Sequence, residues 1–419
     1  MIKFLKWFFG LFSSYVHPFE RKVDKFFKSV KSTDSLSSIR KQLLELMQEN
    51  LIVTNVWMEK KYKGYIYLNK KTRRRMYEDV KKIVELFKED QKKHNFTKEA
   101  LKKRLDIQGC TFPDGDEDKL IYLAQIMAFL HPGKYYHYIK TASFGKLLRD
   151  PKKRKLEGDC NQIVTLYAYL FSLKYSLTEL KINLLPEHVC LNFRGIDVEC
   201  TAAKFHKYRK ETQVLPITEI ISTNLLDLTD FREDVQKISQ RIIVKSSQLA
   251  YAISSLKPLV SKNLDIAYRN LAVSSMNAND FKTAAFYASK STDRKFQNTV
   301  NNNAAIYYMK NNNFSRAYFY ASQVDRKLAK QIKYNEGVYY YKNDQIDSAL
   351  KIFTNLGDKE MKKACYAKKY NELQKKVSGV KTLDDVKKYK STYKKMLDLS
   401  RKMDDSKLEK NLRETLNKL

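Results

Sequence analysis

Apolar residues recur at helical spacing along most of the chain. Residues 35–51 and 75–93 carry an apolar side chain every three or four positions, which predicts two charged amphipathic helices. Residues 120–130 and 160–173 form longer apolar runs, and the first of them stops at a Pro-Gly pair. Both runs predict buried helices.

Three short segments that follow these helices have a different pattern. Residues 180–185, 188–194 and 196–201 are rich in β-branched and other large apolar residues, and Gly195 indicates a tight turn between the last two. Helices followed by a small sheet predict an α+β fold that is mostly helical.

The C-terminal half contains an internal repeat between residues 260 and 355. The segment Asn270–Met276 resembles Asn303–Met309 at an offset of 33, and a third copy begins at Asn335 at an offset of 32. Small and large residues at fixed points let two helices cross closely, and each copy covers the apolar face of its neighbour. The matched positions of the first copy are Phe281, Ala284, Phe286, Tyr287, Ala288 and Ser289, which recur in the second copy at Phe314, Ala317, Phe319, Tyr320, Ala321 and Ser322. In the third copy Ile346, Ala349 and Phe353 stand in place of Phe314, Ala317 and Ala321.

The length of 419 residues and the changes in pattern divide the chain into four regions. We expect an N-terminal helical region at 1–105, a mixed helix and sheet domain at 106–230, helical repeats with a capping helix at 231–376, and a basic helical tail at 377–419. The chain has only 11 Gly and 7 Pro residues, which favours helices over turn-rich architectures.

The chain is strongly basic. Its 80 Lys and Arg residues against 47 Asp and Glu residues give a formal net charge of +33, which favours acidic partners. A basic adaptor on nucleic acid or on an anionic membrane is therefore one hypothesis for the function. The cluster Arg73-Arg74-Arg75 is predicted to be a solvated helix end rather than a nucleic-acid contact.

The first 14 residues combine large apolar side chains with Lys3 and Lys6. Three interpretations are open: this segment packs on the protein's own core, lies on a membrane surface, or is a signal peptide. No run of 18 apolar residues is present, so no transmembrane helix is predicted. We expect a cytoplasmic protein, with residues 1–16 as the point of any membrane association.

The chain has five cysteines, an odd number, and none has C-x-x-C spacing. Neither a disulfide framework nor a zinc site is predicted, and reduced thiols agree with a cytoplasmic location. No glycine-rich phosphate loop is present, so no nucleotide or other cofactor is expected. Cys190 and Cys200 fall on the predicted strands and are expected to be packing residues.

Cys160 differs from the other cysteines in its context. Gly158 and Asp159 are turn and N-cap residues, so Cys160 falls in the first turn of the predicted helix. A helix N-terminus and a nearby imidazolium both stabilise a thiolate over a thiol. The thiolate is the reactive form, so Cys160 is a candidate nucleophile.

His188 is the first residue of the predicted strand 188–194. Its side-chain partner depends on the register of the hairpin that this strand forms with residues 196–201. If the tight turn lies at Arg194-Gly195, Cys190 faces Glu199, and Asp197 lies on the same face of the sheet. Either Glu199, which is diagonal to His188, or Asp197 could then orient the imidazole. A register slip of one residue would turn both carboxylates away.

These residues resemble the transglutaminase-like superfamily of papain-like cysteine enzymes. The resemblance rests on Gly158-Asp159-Cys160 at a helix start, on a histidine at the head of a strand, and on Glu199-Cys200-Thr201 at the end of the next strand, and it covers residues 119–205. It implies Cys160 as the nucleophile and His188 as the base. It places the third member at Glu199, where the family usually has Asp, with Asp197 as the alternative.

The repeats resemble a tetratricopeptide array of about three helix-turn-helix units, with Met361–Lys375 as a capping helix. This resemblance implies a binding surface for a protein partner. Together the two resemblances imply a cysteine hydrolase or acyltransferase that acts on peptide or carboxamide bonds of a protein or peptide substrate. The alternative is a scaffold without turnover whose repeats mediate protein–protein interaction.

Overall fold

The computed structural model describes residues 14–31, 33–209, 212–227 and 236–418, and eighteen α-helices and seven β-strands lie within these ranges. The protein is therefore mostly helical with a small amount of sheet, as the sequence pattern predicts. Two compact units divide the chain, Met1–Leu271 and Ala272–Leu419. The finer boundaries at residues 105, 230 and 376 stay predictions. The predicted N-terminal segment up to residue 13 lies outside the described residues.

The helices of the first unit pack around one apolar core, which extends from Phe19 to Ile253. The helix predicted at 35–51 continues to Tyr62, because apolar residues after Asn50 are also buried, although Asn50 itself leaves helical geometry with φ −163° and ψ 87°. The helices of this unit are Pro18–Ser29, Leu36–Tyr62, Lys70–Gln91, Lys98–Ile107, Glu117–Phe129, Cys160–Ser172, Glu219–Leu226 and Gln240–Ile253, and the helix Lys257–Asn277 contains the boundary.

A buried ion pair joins two of these helices. Arg73 is 2% exposed, its Nε donates a hydrogen bond to Glu20 Oε1 at 2.8 Å, and the hydroxyl of Tyr77 donates to the same oxygen at 2.8 Å. The prediction of a solvated helix end is therefore wrong for Arg73, while Arg74 and Arg75 are exposed. The pattern of charges could not reveal the pairing, because the partner lies 53 residues away in the sequence.

Substitution of Arg73 tests how strongly the first unit depends on this pair. We expect Arg73→Ala to lower the free energy of unfolding by about 3–5 kcal/mol, because Glu20 would keep a buried charge without its cation. Arg74→Ala, next to it on the exposed face, should change the free energy by less than about 0.5 kcal/mol. Urea denaturation followed by circular dichroism measures both values, and equal effects would contradict the importance of the buried pair.

Five strands form one antiparallel sheet: β3 Lys181–Leu185, β4 His188–Phe193, β5 Ile196–Glu199, β6 Lys204–His206 and β7 Gln213–Pro216. Their order across the sheet is β6-β5-β4-β3-β7. The strands predicted at 180–185, 188–194 and 196–201 are confirmed as β3, β4 and β5. The short strands β6 and β7 were not predicted, because three or four residues carry too little alternation to be recognised. A separate parallel pair consists of β1 Tyr136–Tyr138 and β2 Leu156–Gly158.

The turn between β4 and β5 has the predicted position. Arg194 and Gly195 both have positive φ, 51° and 82°, as a two-residue hairpin turn of the favoured type requires. Asn192 pairs with Asp197 across the hairpin. The predicted register of β4 and β5 is therefore confirmed.

The second unit contains the repeats as alternating longer and shorter helices. An aspartate caps the start of each longer helix, at Asp293, Asp325 and Asp358, and these positions keep the spacing of the repeat. The helices are Phe281–Ala288, Arg294–Lys310, Phe314–Ser322, Arg326–Lys342, Ile346–Leu356, Lys359–Lys376, Leu383–Lys388, Lys390–Lys402 and Ser406–Asn417.

The third copy has a glycine and a phenylalanine at two positions where the second copy has alanines. The second copy has Ala305 and Ala321 where the third has Gly337 and Phe353, and all four residues are buried. A Cβ atom at Gly337 would lie 2.8 Å from two ring carbons of Phe353, which is too close for ordinary contact. The glycine therefore provides the space that the phenylalanine ring occupies.

This exchange predicts a coupling between the two positions. We expect Gly337→Ala to lower the free energy of unfolding of the second unit by about 1–3 kcal/mol through overpacking. In a Phe353→Ala background the same change should cost nothing or stabilise, because alanine favours a helix over glycine by about 1 kcal/mol. Gly379→Ala, where no atom lies within 4 Å of the added Cβ, is the control in urea denaturation. Additive effects of Gly337→Ala and Phe353→Ala would contradict the complementary packing.

Candidate active site

The backbone enters the helix Cys160–Ser172 through the parallel strand pair. Tyr138 of β1 pairs with Gly158 of β2, and the hydroxyl of Tyr136 donates a hydrogen bond to the Gly158 carbonyl at 2.9 Å. A Cβ atom at Gly158 would lie 3.0 Å from both Leu147 and Gln162. A side chain larger than hydrogen would push the start of the helix away from this packing.

Asp159 caps the helix, as the sequence predicts. Its carboxylate accepts hydrogen bonds from the N–H groups of Asn161 at 3.0 Å and Gln162 at 3.3 Å. Burial raises the pKa of Asp159 to about 6, and the nearby Asp227 adds to the shift. Cys160 is the first residue of the helix and is 9% exposed, so it lies at the positive end of the helix dipole.

His188 is the first residue of β4 and connects Cys160 to Glu199. Its Nε2 lies 2.7 Å from Glu199 Oε2, so the other ring nitrogen, Nδ1, is not used by this carboxylate. The interactions with nearby Cys160 and then with Glu199 raise the pKa of His188 to about 10, although burial opposes the charged ring.

Glu199 is held at both of its carboxylate oxygens. Thr201 donates to Oε1 from its hydroxyl at 2.6 Å and from its backbone N–H at 3.2 Å, while Tyr208 donates from its hydroxyl to Oε2 at 2.8 Å. Burial opposes ionisation, but the hydrogen bonds from His188, Thr201 and Tyr208 outweigh it and lower the pKa of Glu199 to about 2. The carboxylate is therefore ionised beside a protonated imidazole.

Asp197, the alternative third member, has a different set of partners. Its Oδ1 accepts hydrogen bonds from the side-chain amides of Asn183 at 2.9 Å and Asn192 at 2.8 Å, and its Oδ2 accepts one from the backbone N–H of Tyr208 at 2.8 Å. None of the hydrogen bonds found among the described residues joins Asp197 to His188. The structure brings Cys160, His188 and Glu199 together and leaves Asp197 in the sheet beside them.

The remaining cysteines are buried away from solvent. Cys190 and Cys200 are fully buried, as expected for packing residues. Burial also raises the pKa of the thiols of all four other cysteines, Cys110, Cys190, Cys200 and Cys365. Cys160 is thus the cysteine whose surroundings include a hydrogen-bonded imidazolium.

Tyr208 was not predicted as a site residue. It follows β6, which was not predicted, and a tyrosine in a Lys-rich segment carries no motif. Thr201 stands in the quoted Glu199-Cys200-Thr201 segment, but its bond to the carboxylate could be recognised only once β5 was known to end at Glu199.

A comparison with models of known protein families finds no match, and a comparison with curated proteins finds none either. In the part of the chain that the structure describes, no three His, Cys, Asp or Glu side chains are grouped as metal ligands would be. No helix within the described ranges is both long and apolar enough to cross a membrane.

Neutralisation of Glu199 tests its electrostatic role. We expect Glu199→Gln to lower the pKa of His188 by roughly one to three pH units, because the carboxylate charge beside the ring is lost. Asp197→Asn, which removes a carboxylate from the same strand, should change the pKa of His188 by less, because the hydrogen bonds of Asp197 go to Asn183, Asn192 and Tyr208 and not to the ring. Histidine side-chain NMR titration measures both, and a larger shift for Asp197→Asn would contradict the assignment.

The same ion pair predicts the direction of a pH effect on stability. The pKa of His188 is about 10 in the folded protein and has an ordinary value of 6.5. The stabilisation from the charged ring is therefore complete below the ordinary value and is lost as the pH rises toward the folded value.

Proposed function

We propose that the protein is a cysteine enzyme of the transglutaminase-like type, which hydrolyses or transfers the acyl group of a peptide or carboxamide bond. The hydrogen bond from His188 to Glu199, together with a His188 pKa that nearby Cys160 and Glu199 raise, carries this proposal. A nucleophile, a base and an orienting carboxylate are the three groups that covalent acyl transfer requires in one place.

In the first step Cys160 attacks as a thiolate. With a pKa of about 10, His188 holds a proton at neutral pH, and an imidazolium beside a cysteine favours the thiolate. The sulfur attacks the carbonyl carbon of the substrate and forms a tetrahedral intermediate. The N–H groups in the first turn of the Cys160 helix favour the negative charge near the helix start.

His188 then donates its proton to the leaving nitrogen. The carbon–nitrogen bond breaks, ammonia or an amine leaves, and a thioester with Cys160 remains. The neutral imidazole next removes a proton from an incoming water or amine, which attacks the thioester and releases the thiolate. Water gives hydrolysis and an amine gives transamidation, and Glu199 holds the ring in place during both halves.

The helical repeats supply the protein-binding part of the proposal. Phe286 and Phe319 occupy the same position in successive copies and are 55% and 58% exposed. Exposed aromatic side chains are enriched in protein interfaces. Their repetition supports a surface that binds a protein partner or a protein substrate.

The decisive test is the rate of Cys160 alkylation as a function of pH, with modified cysteines located by mass spectrometry. We expect Cys160 to react faster than the four other thiols at neutral pH, with a rate that changes little until the pH approaches the pKa of His188 at about 10. His188→Ala should slow the reaction at neutral pH roughly tenfold or more, because an ordinary thiol is only a few per cent thiolate at pH 7.

Cys365→Ala, which removes a buried thiol of the second unit, is the matched control and should leave the Cys160 rate unchanged. Incubation of the wild type with a glutamine-containing protein and a fluorescent primary amine then separates the two reactions, because incorporated amine reports transamidation and ammonia released in excess of the incorporated amine reports hydrolysis. Both products should be lost in Cys160→Ala. A Cys160 that reacts no faster than the other four cysteines would overturn the proposal.

A further inference from the structure

Tyr208 and His188 contact the same carboxylate oxygen. The Tyr208 hydroxyl donates to Glu199 Oε2 at 2.8 Å, and His188 Nε2 lies 2.7 Å from that oxygen. A carboxylate oxygen has two lone-pair sites, so both hydrogen bonds form together. The direction in which Oε2 points is therefore set by two side chains.

The length of Glu199 explains why a second contact matters. A glutamate has one more rotatable bond than an aspartate and loses more side-chain freedom when it is held in one position. Thr201 fixes Oε1 through its hydroxyl at 2.6 Å, and Tyr208 fixes Oε2. The two donors together restrict the carboxylate to one orientation.

Tyr208 is in turn held in place by its own neighbours. Its backbone N–H donates to Asp197 Oδ2 at 2.8 Å, and the ring of His206 packs edge-on against it with ring centres 4.4 Å apart. Asp197 is itself fixed by the amides of Asn183 and Asn192. Asp197, which does not reach His188, therefore supports Tyr208. Tyr208 in turn orients Glu199, which does reach His188.

We propose that Tyr208 is a positioning residue of the acyl-transfer site, whose hydroxyl holds the Glu199 carboxylate in the orientation that keeps His188 directed at Cys160. The role rests on the proposed function and extends it beyond the three residues that the spacing and the resemblance indicate. Tyr208 acts through Glu199 and has no chemical role of its own.

Tyr208→Phe keeps the ring and removes only the hydroxyl, so it isolates this contact. We expect the pKa of His188, measured by histidine side-chain NMR, to fall by roughly 0.5–1 pH unit, since a misoriented carboxylate stabilises the imidazolium less. The pH at which the alkylation rate of Cys160 begins to change should fall by the same amount, because that pH follows the pKa of His188. In a Glu199→Gln background the same substitution should change neither value, because the carboxylate through which it acts is gone.

Tyr122→Phe is the matched control, because it also removes one hydroxyl hydrogen bond in the same unit, the bond to the Leu170 carbonyl at 3.0 Å. It should lower stability and leave the pKa of His188 unchanged. A His188 pKa that stays constant or rises in Tyr208→Phe, or an equal effect with and without the Glu199 carboxylate, would overturn the role of Tyr208. An unreactive Cys160 in the wild type would instead overturn the proposed function itself, so the two failures are distinguishable.

Discussion

The hydrogen bond between His188 and Glu199 can form in only one register of the β4–β5 hairpin. Successive side chains of a strand point to opposite faces, so a slip of one residue would move Glu199 away from the ring. The two-residue turn fixes this register, although Arg194 must adopt a positive φ of 51°, which a non-glycine residue seldom does. Its guanidinium donates hydrogen bonds to Asp116 and Glu179. The geometry of the candidate site thus depends on a turn that lies at the far end of the strand from His188.

Buried charges connect the N-terminal helices to the same site. Lys63 and Glu59 are fully buried, with Nζ and Oε1 3.7 Å apart, and the backbone N–H of Phe144 donates to Glu59 at 2.8 Å. Burial raises the pKa of Asp159, and the positive charge of Lys63 opposes that shift. Removal of one member of a buried ion pair leaves an uncompensated charge. Lys63, which directly follows the helix Leu36–Tyr62, therefore contributes to the electrostatic environment of Asp159, the N-cap of the Cys160 helix.

Local features of the sequence were sufficient to predict the start of the Cys160 helix, the position of His188 and the register of the hairpin, because each depends on residues close together in the chain. The choice between Glu199 and Asp197 could not be made in this way. Both lie on one face, and what separates them is Asn183, which reaches Asp197 because β3 lies on the other side of β4. Strand order is a non-local property. The same is true of the pairing of Arg73 with Glu20 and of Tyr208, whose strand is too short to be recognised.

The energetics of these buried groups bear on the choice between the proposed enzyme and a scaffold. An ionised carboxylate such as Glu199, which is 4% exposed, loses solvation on burial, and hydrogen bonds from His188, Thr201 and Tyr208 are needed to offset that loss. Well-packed apolar residues of similar volume often stabilise a fold as well or better. Stability alone therefore does not require a thiol, an imidazole and a carboxylate close together at a helix N-terminus. The proposed acyl transfer would use these three groups, which supports the proposal over a scaffold without turnover.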